Sequence, residues 1–298
     1  MKVIILLVLI GIAASLAMVA LRRARLLWHS GRLLELIPPE ETSLAQGAWV
    51  VFFQNLYGIT PPGYKRALFG VPRISFEFWA TAGEVSIRCW CPDRLEPMLR
   101  VHLSTACPGI EITNAPGSDE TLGNRTARAQ LMLWRDPIHQ TAEKNGDALR
   151  GVLLALAAAP FAVLQVVVSP DPGWQRRALR DYDRLASPDS TEGFLRKLLA
   201  ELVSIILPAT QHAAPSSPAH VKPSIKLQLP APDKALRAGF RVAIRLAVSA
   251  PRTADAKHQM HALSSAFRAC DGANGLRPTH VWLRRNFDRS LIERRSDG

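Results

Sequence analysis

The sequence predicts an α+β protein in which an N-terminal transmembrane helix is followed by two ferredoxin-like split α/β sandwich units. Three observations lead to this prediction. Residues 3–21 form a run of nineteen residues without a charged side chain. Strand-like segments with alternating apolar side chains recur after this run, and helix-like segments lie between them. A stretch rich in proline, alanine and serine at residues 208–223 then divides the chain.

The run at residues 3–21 is long enough to cross a bilayer, because about 20 helical residues span the ~30 Å hydrocarbon core. A buried core helix is disfavoured because the run has no polar face. A cleaved secretory signal stays open as an alternative, with a small-x-small pattern at residues 15–17. Arg22, Arg23 and Arg25 follow the run, and the positive-inside rule predicts that they remain in the cytoplasm. The predicted location is therefore the plasma membrane, in a single pass with a cytoplasmic body, and membrane lipid is a predicted partner.

The next segments predict the first α+β unit. Residues 74–80 (ISFEFWA) and 84–91 (EVSIRCWC) alternate as strands do, with a hairpin turn between them. A helix at residues 92–105 and a short strand at 110–113 follow. The resulting order of strand, strand, helix and strand is typical of ferredoxin-like sandwiches.

The same kinds of segment continue to the end of the chain. They are a strand at 127–134, a buried helix at 146–159, a strand at 161–169, a helix at 174–185, a strand at 240–249, a helix at 253–270 and a strand at 279–285. The helix at 174–185 is amphipathic and basic, and it carries Arg176, Arg177, Arg180 and Arg184. These four arginines are interpreted as a solvated or lipid-facing stripe, with nucleic-acid contact as the alternative.

These segments predict six divisions of the chain. They are a transmembrane anchor at 1–25, a membrane-proximal helical segment at 26–70, a first α+β unit with trailing helices at 71–207, a linker at 208–223, a second α+β unit at 224–285 and a charged tail at 286–298.

Composition narrows the class of partner. The net charge of +12 and the sequence pI of about 10.2 favour contact with anionic lipid headgroups or reflect an arginine-rich genome, and nucleic acid is the sharper alternative. Four cysteines are present, without a CxxC motif. Cys89 and Cys91 share one face of a predicted strand, which suits a small apolar core in a reducing cytosol better than a disulfide between them.

A search for catalytic motifs finds none. The dipeptide Gly-Lys does not occur, so a phosphate-binding loop is excluded, and GxSxG, HExxH and GxGxxG are absent from the sequence. His258 and His261 lie three apart on a predicted helix, but no further ligand is suggested, so a solvated face is predicted. The prediction is a protein that is not an enzyme, with no catalytic residue, no metal and no cofactor.

Three stretches of the sequence carry a family resemblance. They are YKRALFGVPRISFEFWATAGEVSIRCWCP at residues 64–92, RLEPMLRVHLSTACPGIEIT at 94–113, and FRVAIRLAVSAP with ALSSAFRACDGANGL within 240–276. These stretches resemble the N-terminal, membrane-anchored region of actinobacterial conjugative-element and type IV secretion ATPases of the TraG/VirD-like and HerA-like kind. The resemblance covers most of residues 44–285.

The resemblance implies a place in a conjugative DNA-transfer or type IV secretion-like apparatus. In that family an ATPase domain with a phosphate-binding loop follows this region, and this sequence has no such loop. The expected function is therefore a membrane-anchored, non-catalytic scaffold or adaptor, whose partner is a secretion or conjugation ATPase or another membrane component. A truncated or split part of such an ATPase and a membrane-tethered nucleic-acid-binding module stay open as alternatives, as does homo-oligomerisation.

Overall fold

The structure is a computed structural model of an α+β protein. It describes residues 2–27, 30–40, 46–115, 122, 125–135, 137, 141, 148–186, 237–281 and 283–296. Within them lie eight α-helices: α1 (Lys2–Leu27), α2 (Gln46–Gly58), α3 (Gly63–Phe69), α4 (Glu96–Ala106), α5 (Ala148–Ala157), α6 (Trp174–Ala186), α7 (Thr253–Ala266) and α8 (Arg284–Ile292). Eight strands accompany them: β1 (Gly31–Ile37), β2 (Ile74–Thr81), β3 (Glu84–Pro92), β4 (Glu111–Asn114), β5 (Thr126–Leu133), β6 (Phe161–Pro170), β7 (Phe240–Ser249) and β8 (Leu276–His280).

All eight strands belong to one antiparallel sheet, in the order β4-β1-β3-β2-β6-β7-β5-β8. The first four strands and the last four have the same spatial order of fourth, first, third and second strand. In both halves helices connect the first strand to the second and the third to the fourth, but only in the second half does a helix, α6, lie between the second and third strands. The two halves meet where β2 pairs with β6, in a register that runs from Ile74 opposite Val168 to Thr81 opposite Phe161. The sheet is therefore continuous across both halves.

The predicted transmembrane helix is wrong. Among the residues that the structure describes, no helix has the length and apolar character needed to cross a membrane. The predicted single-pass location in the plasma membrane is contradicted for the same reason.

The strands are grouped differently from the predicted units. Strands β5 and β6 lie in the predicted first unit at 71–207, whereas β7 and β8 lie in the predicted second unit at 224–285. In the structure these four strands form one half of the sheet, because β7 pairs with both β5 and β6. The predicted linker at 208–223 lies outside the described residues.

One face of the sheet, called here the helical face, is covered by helices α2, α4, α5 and α7. On β2 it is formed by Ile74, Phe76, Phe78 and Ala80, which alternate along the strand. Ile74 and Phe76 pack in a cluster with Leu99 and Leu103 of α4, and Ala80 packs in a second cluster with α5 and α7. The apolar alternation read from the sequence therefore faces these four helices.

Cysteine side chains are part of the same core. Cys89 and Cys91 of β3 are buried on the helical face, and both thiols are free. Burial raises the pKa of Cys89, and burial together with the nearby carboxylates of Glu96 and Asp93 raises the pKa of Cys91 to about 12. Both side chains are therefore neutral thiols at physiological pH.

Candidate interaction surfaces

The other face of the sheet, called here the polar face, carries a row of polar side chains across all eight strands. Each member stands opposite the next in the strand register, and the row is Thr113, Glu35, Arg88, Glu77, Gln165, Arg245, Gln130 and Thr279. The central members are deeply buried, since Glu77, Gln165 and Arg245 are each 1% exposed. Buried polar groups cost free energy unless they are hydrogen-bonded, so the stability of the sheet depends on the partners that this row finds.

Glu77 is the centre of this network. Its carboxylate accepts hydrogen bonds from Ser75 Oγ at 3.0 Å, Trp79 Nε1 at 3.1 Å and Gln165 Nε2 at 3.1 Å. Arg294 adds an ion pair, with its Nε donating to Glu77 Oε1 at 2.6 Å. Gln165 in turn accepts from Arg245 Nη1 at 3.1 Å. The buried carboxylate is therefore engaged by donors from two strands, β2 and β6, and from the C-terminal segment.

Helix α8 is the element that covers this network. Phe287 and Leu291 pack on Trp79, Val163 and Ala247 of the polar face. The helix is also held by charge, since Arg128 of β5 donates to both carboxylate oxygens of Asp288, at 2.6 and 3.0 Å. Beyond the helix, the Arg294–Glu77 pair holds the following turn on the sheet. The predicted charged tail at 286–298 thus contains a helix that packs on the sheet.

Tryptophan rings on the polar face are in contact with arginines. The Trp90 ring lies 5.7 Å from the Arg73 guanidinium and 5.6 Å from that of Arg294, and the Trp79 ring lies 5.1 Å from that of Arg88. Gly31 permits this arrangement, because a Cβ on it would lie 2.2 Å from a Trp90 ring carbon. Nε and Nη1 of Arg88 are buried without a hydrogen-bond partner in the described part of the chain.

The outward side of α8 is basic. Arg284, Arg285 and Arg289 are exposed, and none of them forms an ion pair with a carboxylate among the described residues. Arg285 and Arg289 are one turn apart, on the side opposite Phe287 and Leu291. Sequence reasoning missed this surface because it treated the segment as a tail.

The four predicted contact arginines on α6 have different environments. Arg177 pairs with the buried carboxylate of Asp171, which also lies 3.5 Å from Arg241 Nε. Arg176 and Arg180 are exposed. The side chain of Arg184 lies outside the described residues. The structure therefore leaves two of the four arginines facing solvent and uses one to hold the start of α6.

The three predicted membrane-orienting arginines lie in the second half of α1. Arg22 donates from Nε to the backbone oxygen of Ala67 in α3, at 2.7 Å, so it contacts protein. Arg23 is exposed, and the side chain of Arg25 lies outside the described residues. Ahead of them, every side chain from residue 11 to residue 21 is exposed although most are apolar. Ile12, Leu16 and Val19 form a stripe at helical spacing in this part of α1.

The described residues offer no grouping of ligands for a metal ion. His258 and His261 lie on α7, and both are exposed. Among the residues that sequence reasoning missed, Glu77, Gln165 and Arg245 had a signal. Each is a charged or amide side chain within an otherwise apolar strand, a pattern that indicates a buried polar contact.

Comparisons with known proteins add no assignment to this geometry. No protein-family model matches the sequence, and a search of the curated proteins found no match.

Proposed function

We propose that this protein is a non-catalytic scaffold or adaptor component of a conjugative DNA-transfer or type IV secretion-like apparatus. In this role it binds a secretion or conjugation ATPase, or another component of the apparatus, and contributes binding surfaces to the assembly. The proposal combines the sequence resemblance over most of residues 44–285 with the exposed surfaces of the molecule.

The observation that carries the binding role is the exposed apolar stripe of α1. Ile12, Leu16 and Val19 are 51%, 65% and 49% exposed, and they follow one another at spacings of four and three residues. Such spacing places them on one side of a helix. Contiguous exposed apolar surface marks protein interaction sites, because its removal from water favours association. We infer that a partner of the apparatus packs on this stripe.

A charge placed in the stripe tests this role. In a host that carries the transfer apparatus, Leu16→Asp is expected to lower the frequency of DNA transfer by at least about tenfold. The reason is that loss of one anchoring apolar contact costs about 1.4 kcal/mol or more of binding free energy. Transfer frequency from donor to recipient cells is the measurement, with the amount of protein followed by immunoblot.

Val101→Asp is the matched control. Val101 lies on α4 and is 64% exposed, almost the same as the 65% of Leu16, but it lies outside α1. The control is expected to transfer DNA at the wild-type frequency. Equal effects of the two substitutions would refute the assignment to α1, and normal transfer without the whole protein would refute the role in DNA transfer.

A further inference from the structure

A second exposed surface lies on α8, on the side of the helix that faces away from the polar face. On the side of α8 that faces the sheet, Phe287 and Leu291 pack on the polar face, and Asp288 forms an ion pair with Arg128. Its outer arginines, Arg285 and Arg289, form no such ion pair among the described residues. The surface is therefore presented on an element whose position is set by contacts on its opposite side.

Within the part of the chain that the structure describes, the outer arginines of α8 have no carboxylate as an ion-pair partner. The two described acidic residues of 284–296 are Asp288 and Glu293, and they pair with Arg128 and Arg295. The nearby carboxylate of Glu77 is buried and pairs with Arg294. Among the described residues, no carboxylate forms an ion pair with the arginines on the outer side.

The outer arginines also repel one another. Arg285 and Arg289 are four residues apart on one side of the helix, and like charges at this spacing destabilise a helix by a few tenths of a kcal/mol. The first turn of α8 contains no acidic residue to offset them. An anionic ligand across both side chains relieves this repulsion and binds with charge-assisted hydrogen bonds.

We propose that the outer side of α8 binds the phosphate backbone of nucleic acid through Arg285 and Arg289. Two guanidiniums separated by one helical turn, about 6 Å along the axis, suit a row of anionic groups. A nucleic-acid backbone is such a row, and arginine forms bidentate hydrogen bonds with phosphate. Contacts of this kind do not depend on base sequence, and the net charge of +12 attracts a polyanion from a distance.

This surface differs from the one that the sequence indicates on α6. There Arg177 is paired with Asp171, and Arg176 and Arg180 remain exposed. Both helices thus offer two exposed arginines four residues apart, which makes them matched in charge and spacing. The inference assigns nucleic-acid contact to α8 and does not depend on the scaffold role, because it concerns the purified chain alone.

Salt-dependent binding of labelled duplex DNA to the purified full-length protein is the test. The double variant Arg285→Gln/Arg289→Gln is compared with Arg176→Gln/Arg180→Gln by fluorescence anisotropy over about 50 to 200 mM salt. The α8 variant is expected to bind more weakly, and its slope of log K against log salt is expected to fall by about 2, one unit per lost phosphate contact. The α6 variant is expected to keep the wild-type slope.

Three results would overturn the proposal. They are an unchanged slope in the α8 variant, an equal loss in both variants, and binding of the wild-type protein to anionic lipid vesicles or poly-glutamate with none to DNA. The substituted side chains are exposed, so both variants are expected to unfold at the wild-type temperature. This measurement separates a lost contact from a lost fold.

Discussion

The two faces of the sheet are covered in different ways. On the helical face, α2, α4, α5 and α7 pack on alternating apolar side chains in two clusters. On the polar face, α8 packs on three buried side chains of the sheet through two of its own and is held by carboxylate–arginine pairs. Packing on the helical face depends mainly on the removal of apolar surface from water. Packing of α8 on the polar face depends also on specific ion pairs and hydrogen bonds.

This difference indicates separate roles for the two faces. Apolar packing is non-directional, so the four helices gain stability from many contacts that tolerate small shifts. A buried carboxylate tolerates no such shift, because each donor that it loses leaves a charge without compensation. The network at Glu77 therefore fixes where α8 lies and, through α8, where its outer arginines are presented.

The largest expected effect comes from removal of the carboxylate at the centre of the polar row. Glu77→Ala is expected to lower the free energy of unfolding by about 3–5 kcal/mol, because Arg294 and three further donors lose their acceptor. Chemical denaturation followed by circular dichroism measures this change.

Glu35→Ala is the control, since Glu35 belongs to the same polar row but is only half-buried. Its effect is expected to stay within about 0.5 kcal/mol. A double-mutant cycle of Glu77→Ala with Arg294→Ala then isolates the ion pair. Equal losses from Glu77→Ala and Glu35→Ala would contradict the central place of Glu77.

The helical face was predictable from the sequence because its signal is local. Alternating apolar residues at 74–80 and 84–91 predicted β2 and β3, and the structure has strands there. The burial of Cys89 and Cys91 agrees with the expectation of an apolar core. Each of these inferences required only neighbouring residues and the two-residue period of a strand.

The polar face was not predictable because its contacts join distant parts of the chain. Arg294 lies 217 residues from Glu77, and the backbone oxygen of Leu291 lies 126 residues from the Gln165 amide that it binds. Composition at the C-terminus showed charge but no partner for it.

Two leucine-to-alanine substitutions compare packing on the helical face directly with packing of α8 on the polar face. Leu103→Ala on the helical face is expected to cost about 4 kcal/mol, because Leu103 is fully buried in a large cluster. Leu291→Ala under α8 is expected to cost about 2 kcal/mol, because its cluster is small. Equilibrium denaturation of the two variants measures both values.

Amide hydrogen exchange separates the consequences of the two truncations. Leu291→Ala is expected to raise exchange in α8 while the strands keep their protection, since a helix held by few contacts opens locally. Leu103→Ala is expected to raise exchange across the sheet. Equal exchange patterns in the two variants would show that α8 and the helical face unfold as one unit.

The smallest expected effect concerns the thiols of the helical face. Because burial raises the pKa of Cys91 from 9.0 to about 12, the folded state favours the neutral thiol. The stabilising contribution of this thiol is therefore fully present below pH 9, the ordinary value for the unfolded chain, and is lost as pH rises towards 12. Between about pH 6 and pH 7.5, where the thiol is protonated in both the folded and the unfolded chain, Cys91 is expected to add almost no pH dependence to the free energy of unfolding.

Alkylation with iodoacetamide at about pH 8 tests the same property without unfolding the protein, because the thiolate is the reacting form. Cys91 is expected to stay unmodified in the folded protein and to react fully in urea, as read by mass spectrometry of the digested chain. Cys270 is half-buried and supplies the internal control, with faster reaction in the folded state. Rapid modification of Cys91 would show that the helices of the helical face open readily. The contrast between apolar packing on the helical face and specific ion pairs on the polar face would then fail.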